Sequence, residues 1–262
     1  MKILVLGANG MAGHLISNYL KENTSNNIVE YRREDLNPED NSWKEKLLRE
    51  CSLVKIDYII NCIGILVKNA EENPTYAIKI NSLFPHELAK FSTPLGIKVI
   101  HLSSDCYSDL NSYGRSKRAG ELNYKDHLTI RTSIIGPELK DGTGLFHWFM
   151  KQGGETNGFT RHLWDGITTL NLAKTINEII KSYPEISGIK DIRSKDKISK
   201  YDLLNLIAST FNKQIVISPK TTEIVDKTNN FPDINSEDIR LQIKELKDWM
   251  DSHPNLYKQY EN

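Results

Sequence analysis

With 262 residues, the chain can form one large domain or a domain with a smaller appendage, and 39% hydrophobic with 26% charged residues suits a globular protein with a sizeable core. Lysine plus arginine and aspartate plus glutamate stand at 34 each, so bulk charge gives no reason to expect nucleic acid or an acidic membrane surface as a partner. Three scattered cysteines, Cys51, Cys62 and Cys106, argue against a disulfide framework or a zinc site, and no metal is expected. The opening apolar run of "MKILVLGANG" is too short for a secretion signal and enters a glycine turn directly. No apolar stretch approaches the roughly 20 residues that span a bilayer. The expectation is a soluble, cytoplasmic protein.

Taken in order, "KILVLG" (2–7), "NIVEY" (27–31), "DYIINCIG" (57–64), "KVIHLSS" (98–104) and "HLTIRTS" (127–133) are short, continuous apolar runs with strand character. Between them "MAGHLISNYLKE", "WKEKLLREC", "PTYAIKINSLFPHELAKF" and "YGRSKRAGELNY" carry apolar residues at helical spacing. Such alternation predicts an α/β, Rossmann-like doubly wound parallel sheet covered on both faces. Pro85, inside the third helical stretch, predicts a kink there. After about Gly136 the rhythm changes, and "GPELKDGTGLFHWFMKQGGETNGFTRHLWDGITTL" reads as loops around a short helix. "NLAKTINEIIKSY" and "SKYDLLNLIASTF" are amphipathic helices, "IVISP" a short strand, and "SEDIRLQIKELKDWM" a terminal helix. We therefore divide the chain into a cofactor-binding domain, 1–136, and a smaller substrate lobe, 137–262, whose strands could return to the main sheet.

The first turn, "LVLGANGMAGHLI", sets Gly7, Gly10 and Gly13 between a strand and a helix. Glycine permits a tight turn, close approach of backbone to a pyrophosphate, and close packing of helix on strand. The helix start then offers unpaired N–H groups to phosphates, with Asn9 and Met11 beside them. At the end of the second strand, "VEYRRED" brings Arg32 and Arg33, two planar cations suited to a 2′-phosphate, which favours NADPH. Glu30 leaves NADH open. Asp35 and Leu36, next along, are expected to line the adenine pocket.

Ser104 ends the fourth strand, at the edge of the sheet where such folds bind ligands. Tyr113 and Lys117 lie one helical turn apart on one face. A phenol with an ordinary pKa near 10 is a weak acid–base catalyst at neutral pH, and a neighbouring ammonium favours its ionised form. Serine can hold a carbonyl oxygen, so the three are the set needed to protonate a carbonyl as hydride arrives. Further on, Arg161 is suited either to a diphosphate or to a solvated surface, and Trp164 either to stacking on a ligand ring or to packing inside the lobe, with Asp105 beside Ser104 as another substrate contact. His101 reads as a core residue, and His147 lies on the amphipathic stretch "LFHWFM".

These pieces, "GANGMAG", "NCIG", "NSLFPHELA", "HLSSDC", "YGRSK", "IRTSIIGP" and "WDGITTL", resemble the extended short-chain dehydrogenase/reductase superfamily. Within it they are most similar to dTDP-4-dehydrorhamnose reductase-like nucleotide-sugar 4-ketoreductases. The resemblance runs from residue 1 to about 170. It implies NAD(P)H-dependent reduction of a 4-keto-6-deoxy sugar carried on a nucleoside diphosphate. Residue by residue, it implies Ser104 as the carbonyl-binding hydroxyl, Tyr113 as proton donor, and Lys117 as the cation that serves both the phenol and the nicotinamide ribose. It also implies that Asn61, Cys62, Ile63 and Gly64 turn over the cofactor, that Asn81 supports the active end of the sheet, and that Pro137 packs near the nicotinamide.

One departure stands out: Ser104 and Tyr113 are nine residues apart, a far shorter link than is usual in the family. Two other activities fit the same resemblance. One is a nucleotide-sugar epimerase; the other is an NADP-binding regulatory subunit like the β subunit of methionine adenosyltransferase. A homodimer is compatible with any of these readings.

Overall fold

The computed structural model describes residues 1–40, 42–140 and 142–260, with Tyr107 and Ser108 described by backbone alone. It divides into two compact units, 1–132 with 176–191, and 133–175 with 192–262. The sequence-drawn boundary at residue 136 thus sits beside a boundary at 132, and the first unit also takes in a later segment.

In the first unit the elements follow the alternation read from the sequence. They are β1 (Lys2–Leu6), α1 (Met11–Asn23), β2 (Asn27–Tyr31), α2 (Trp43–Leu53), β3 (Tyr58–Asn61), α3 (Val67–Glu72), α4 (Pro74–Ala77), α5 (Phe84–Ser92), β4 (Lys98–Leu102), α6 (Ser112–Ala119) and β5 (Leu128–Arg131). Every strand pair in this sheet is parallel, in the order β2-β1-β3-β4-β5. Continuous apolar strands suit that arrangement, because both faces are covered: Ile3, Leu4, Val5, Leu6, Ile59, Ile60, Val99 and Ile100 are fully buried. On one face Leu4, Leu6 and Ile59 pack with Leu47, Leu88 and the edge-to-face pair Trp43–Phe84, whose ring centroids are 5.2 Å apart.

The remaining elements are β6 (Ile134–Ile135), α7 (Leu145–Lys151), β7 (Glu155–Phe159), β8 (His162–Trp164), β9 (Ile167–Thr168), α8 (Thr169–Ser182), β10 (Gly188–Ser194), β11 (Ile198–Ser199), α9 (Lys200–Thr210), β12 (Val216–Lys220), β13 (Val225–Asp226), β14 (Ile234–Ser236), α10 (Ile239–Ser252) and α11 (Pro254–Tyr257). Residues Gly188–Asp191 of β10 pair with β5, and Ile192–Ser194 continue alongside β14, completing a seven-stranded parallel sheet. The stretch after Gly136 is less loop-like than its composition suggests. Its short strands pair with distant segments, β7 with β12 and β8 with β11 and β13, so no local period marks them. Inside the second unit, Arg193 and Asp165 form an ion pair at 3.1 Å with both side chains 3% exposed.

Pro85 produces a different effect from a simple kink. Between α4 and α5 the chain makes a π-turn, Ile78–Leu83, in which the Phe84 amide reaches back five residues to the Lys79 carbonyl. Proline has no N–H and its ring crowds the carbonyl four residues earlier, here that of Asn81. The wider turn absorbs this conflict without ending the helix. Gly120, at the end of α6, then packs directly on the Asn81 backbone: a Cβ there would lie 1.8 Å from the Asn81 oxygen and 2.9 Å from its carbonyl carbon. Since backbone must move to admit a methyl group, Gly120→Ala should lower stability by ~1–3 kcal/mol, the usual range for overpacking. Urea unfolding of the two proteins measures this; equal midpoints and slopes would mean that the two segments separate freely.

Candidate active site

The glycine turn has the three separate roles that its spacing suggests. Gly7 has φ +77°, in the left-handed region, and the amides of Gly7 and Ala8 both donate to the Tyr31 carbonyl at the end of β2. A Cβ on Gly13 would lie 2.3 Å from the Gly7 oxygen, so α1 can sit this close to β1 only with glycine there. Gly10 is the N-cap of α1 and offers no side-chain cap, which leaves the start of a 13-residue helix open to an anion. Met11 begins the helix beside it.

A cleft of about 280 Å³ opens over this turn. Gly7, Asn9, Gly10, Arg33, Leu36, Cys62, Ile63 and Gly64, all named from the sequence, line it. Asn37, Pro38, Ile65, Tyr76 and Ile80 line it as well, and nothing local in the sequence marked them. Tyr76 is brought in by α4, where it lies 3.4 Å from Arg33 through its hydroxyl. Arg33 also pairs with Glu39 at 3.4 Å and stays 74% exposed, free to turn toward an incoming phosphate. Arg32 is exposed but does not line the cleft, and Asp35 spends a carboxylate oxygen on the Arg32 amide at 2.9 Å. Glu30, the residue that left NADH open, is held by Lys21 at 2.8 Å and is not a lining residue. Turn, open helix end and cation together fit a dinucleotide with a phosphorylated ribose.

Two asparagines fix the opposite wall. Asn61 accepts from the Ile63 amide at 3.1 Å and meets the buried His101 Nδ1 at 3.1 Å. Asn81, on the π-turn, accepts from the Ile65 amide at 2.7 Å and donates to the Ile65 carbonyl at 3.0 Å and to Ser116 Oγ at 3.1 Å. One side chain thus ties the cleft loop to α6. Burial pushes the Cys62 thiol up to about 12, so this cleft cysteine is inert at neutral pH.

The short link from Ser104 to Tyr113 closes through local capping. Ser104 Oγ accepts the Cys106 amide at 3.1 Å, starting a 3₁₀ turn over Asp105–Ser108, and donates to Asp105 Oδ1 at 3.2 Å. Asn111 caps α6 by accepting the Gly114 amide at 2.7 Å. Gly114 lets the turn lie against the helix, since a Cβ there would come within 2.3 Å of the Cys106 oxygen.

Lys117 Nζ donates to the Leu102 carbonyl at 2.6 Å, and the Ser104 hydroxyl lies near enough to Tyr113 to favour its phenolate. That ammonium lies 3.5 Å from where a Gly64 Cβ would be, directly behind the cleft loop. Burial pushes the Tyr113 phenol up to about 12, with the Ser104 hydrogen bond opposing, so the phenol firmly holds its proton. Burial also draws Lys117 down to about 8, against the pull of Glu121 and Cys62. Ser104 thus acts on Tyr113, and Lys117 stands behind the cleft loop; the ammonium is not among the groups acting on the phenol, so the lowering expected from the Tyr–Lys spacing is overridden by burial.

The other sequence-derived contacts belong to the second unit. Arg161 lies exposed at the turn between β7 and β8. Trp164 is only 3% exposed, with Lys200 Nζ 5.0 Å from its ring centroid and the ring packed against Gly166. An open stacking surface does not match that burial, which makes Trp164 a packing residue here. Pro137 is buried after β6 and is not among the residues lining the cleft. Among the described residues, no cluster of three metal-ligating side chains is present, and no helix is long and apolar enough to cross a membrane.

Solved structures share this fold. A dTDP-4-dehydrorhamnose reductase from Bacillus anthracis, crystallised with NADP, has a TM-score of 0.79 at 19% identity, covering 95% of this chain and 99% of its own. A reductase of the same name from Clostridium acetobutylicum has 0.79 at 22% identity, covering 96% and 100%. A GDP-L-fucose synthetase from Naegleria fowleri bound to NADP has 0.71 at 16% identity, covering 98% and 94%. Among curated proteins no significant match was found. The model of the family described as RmlD substrate binding domain matches residues 1–232, and the chain belongs to that family.

Proposed function

We propose that this protein reduces the 4-keto group of a nucleoside-diphosphate 4-keto-6-deoxy sugar with NADPH, as a soluble cytoplasmic enzyme. The observation that carries the reading is the Ser104–Tyr113–Lys117 set behind the Gly64 wall of a glycine-floored cleft. Family membership and the activities named for the solved relatives support the choice of sugar nucleotide. Gly7, Asn9, Gly10 and the start of α1 would hold the pyrophosphate, and Arg33 the 2′-phosphate. When bound, NADPH supplies a hydride to the carbonyl carbon. Ser104 orients the carbonyl oxygen, and Tyr113 delivers its proton there, giving the alcohol and a phenolate that recovers a proton from solvent. Lys117 stabilises the phenolate as it forms. Ser104 and Asp105 are assigned to substrate.

The direct test is NADPH oxidation with a panel of 4-keto-6-deoxy nucleotide sugars. Turnover of at least one member is expected, and none across the panel overturns the reading.

Arg33→Ala should weaken NADPH about ten- to hundredfold, the worth of a charge-assisted hydrogen bond, while NADH changes little. Arg32→Ala should have a smaller effect on both. Calorimetric titration of each cofactor decides; equal losses for NADPH and NADH in Arg33→Ala would place the 2′-phosphate elsewhere.

Tyr113→Phe keeps the ring and removes the proton, so turnover should fall on the order of 10²–10⁴-fold with NADPH affinity retained. A wild-type rate in this variant would exclude the phenol as the acid.

A further inference from the structure

Behind Lys117 lies a second set of charges that the proposed chemistry does not use. Glu121 follows Lys117 by four residues, just past the end of α6, and is 8% exposed. Arg131, at the end of β5, grips it with two hydrogen bonds, Nε to Oε1 at 2.7 Å and a terminal nitrogen to Oε2 at 2.5 Å. Ser103 Oγ donates to the same Oε1 at 2.8 Å. On the far side of Arg131, Asp191 of β10 is its register partner, with a carboxylate oxygen 3.7 Å from the guanidinium.

Buried charges are costly unless each has an opposite neighbour. Lys117, Glu121, Arg131 and Asp191 alternate in sign and sum to zero. The set is also joined to the catalytic segment at two adjacent residues: Leu102 receives the Lys117 ammonium through its carbonyl, and Ser103 binds Glu121. Ser104 is the next residue. A structural staple at the sheet end would need Glu121 and Arg131 but not a buried lysine anchored at Leu102, the residue next to the serine that binds Glu121.

We propose that Glu121 is a positioning residue for Lys117: its carboxylate, anchored by Arg131 and Ser103, keeps the buried ammonium charged behind the Gly64 loop. The catalytic meaning of this rests on the reductase reading, whereas the charge coupling does not. Of the other titratable groups around Lys117, Cys62 pulls in the same direction as Glu121 but less strongly. Cys62 at the exit of β3 is held as a neutral thiol, and His101 on β4 is held neutral by burial and by Lys117 itself. Asp105 and Cys106 of the 3₁₀ turn act on Tyr113. Glu71 of α3 and Lys79 of the π-turn are exposed, and Glu71 binds the Tyr113 amide.

The test uses the full chain without cofactor or substrate, comparing urea unfolding of the parent, Lys117→Met, Glu121→Gln and the double variant from pH 6 to 11. Below pH 8 the folded and unfolded parent both carry the Lys117 proton, so the cost of burying it is fully present and Lys117→Met is the more stable. Between about 8 and 10.5 the folded chain has lost that proton and the unfolded chain has not. The parent therefore gains on Lys117→Met as pH rises, and the gap closes. In the Glu121→Gln background the closing should begin about one pH unit lower, the shift expected when an opposite charge is removed. In the holoenzyme the alkaline fall of kcat should move down by a similar amount. Arg131→Met should move both upward, because Glu121 is then left to Lys117 alone. Asp191→Asn, acting through Arg131, should move them down by less, and replaces Glu121→Gln if that variant does not fold. An unchanged pH window for the gap overturns the proposal and leaves Glu121 a staple. A shifted window in a protein inactive toward every 4-keto sugar would uphold the coupling while removing the reductase reading.

Discussion

The active end of the first unit depends on how closely α6 can approach the π-turn. Pro85 cannot accept a regular helical bond pattern, the chain widens over Ile78–Leu83, and the Asn81 backbone is presented to Gly120 at a distance no Cβ would survive. This contact sets the depth of α6, and with it the depth of Tyr113 and Lys117. From the same turn the Asn81 side chain reaches both the cleft loop at Ile65 and α6 at Ser116. One helical irregularity therefore aligns two walls of the site. π-turns are rare, and this one is held by the contacts it makes possible.

Depth has an electrostatic consequence. Lys117 is 5% exposed, and an ammonium so far from water needs partners. It finds the Leu102 carbonyl directly and a line of alternating charges beyond. The same low-dielectric surroundings keep the Tyr113 proton in place until a carbonyl arrives to accept it. A parallel sheet makes this possible, because β4 and β5 end at neighbouring positions and the β10 register sets Asp191 beside Arg131.

The brevity of the Ser104–Tyr113 link has a physical explanation as well. A serine-capped 3₁₀ turn and an asparagine-capped helix leave almost no chain between them, and Gly114 permits their contact. The cofactor side is unaffected, since its contacts come from β1, β2 and β3 and their following turns.

The alternating order of strands and helices, the glycine turn and the Ser–Tyr–Lys spacing were legible in the sequence because each is a local pattern: period, turn chemistry, or one helical turn. Arg33 as a cation near the cleft was legible for the same reason, as it directly follows a strand end. Tyr76, Asn37 and Ile65 at the cleft, and Glu121 with Arg131 and Asp191 behind Lys117, were not, because they meet across separations of ten to seventy residues that no periodicity reports. The burial of Trp164 and the short strands after Gly136 were hidden likewise, since their partners lie far along the chain. Sequence determined which local elements form and which reactive groups they carry; tertiary structure decided which of those groups share a low-dielectric space, and so how strongly each acts on the next.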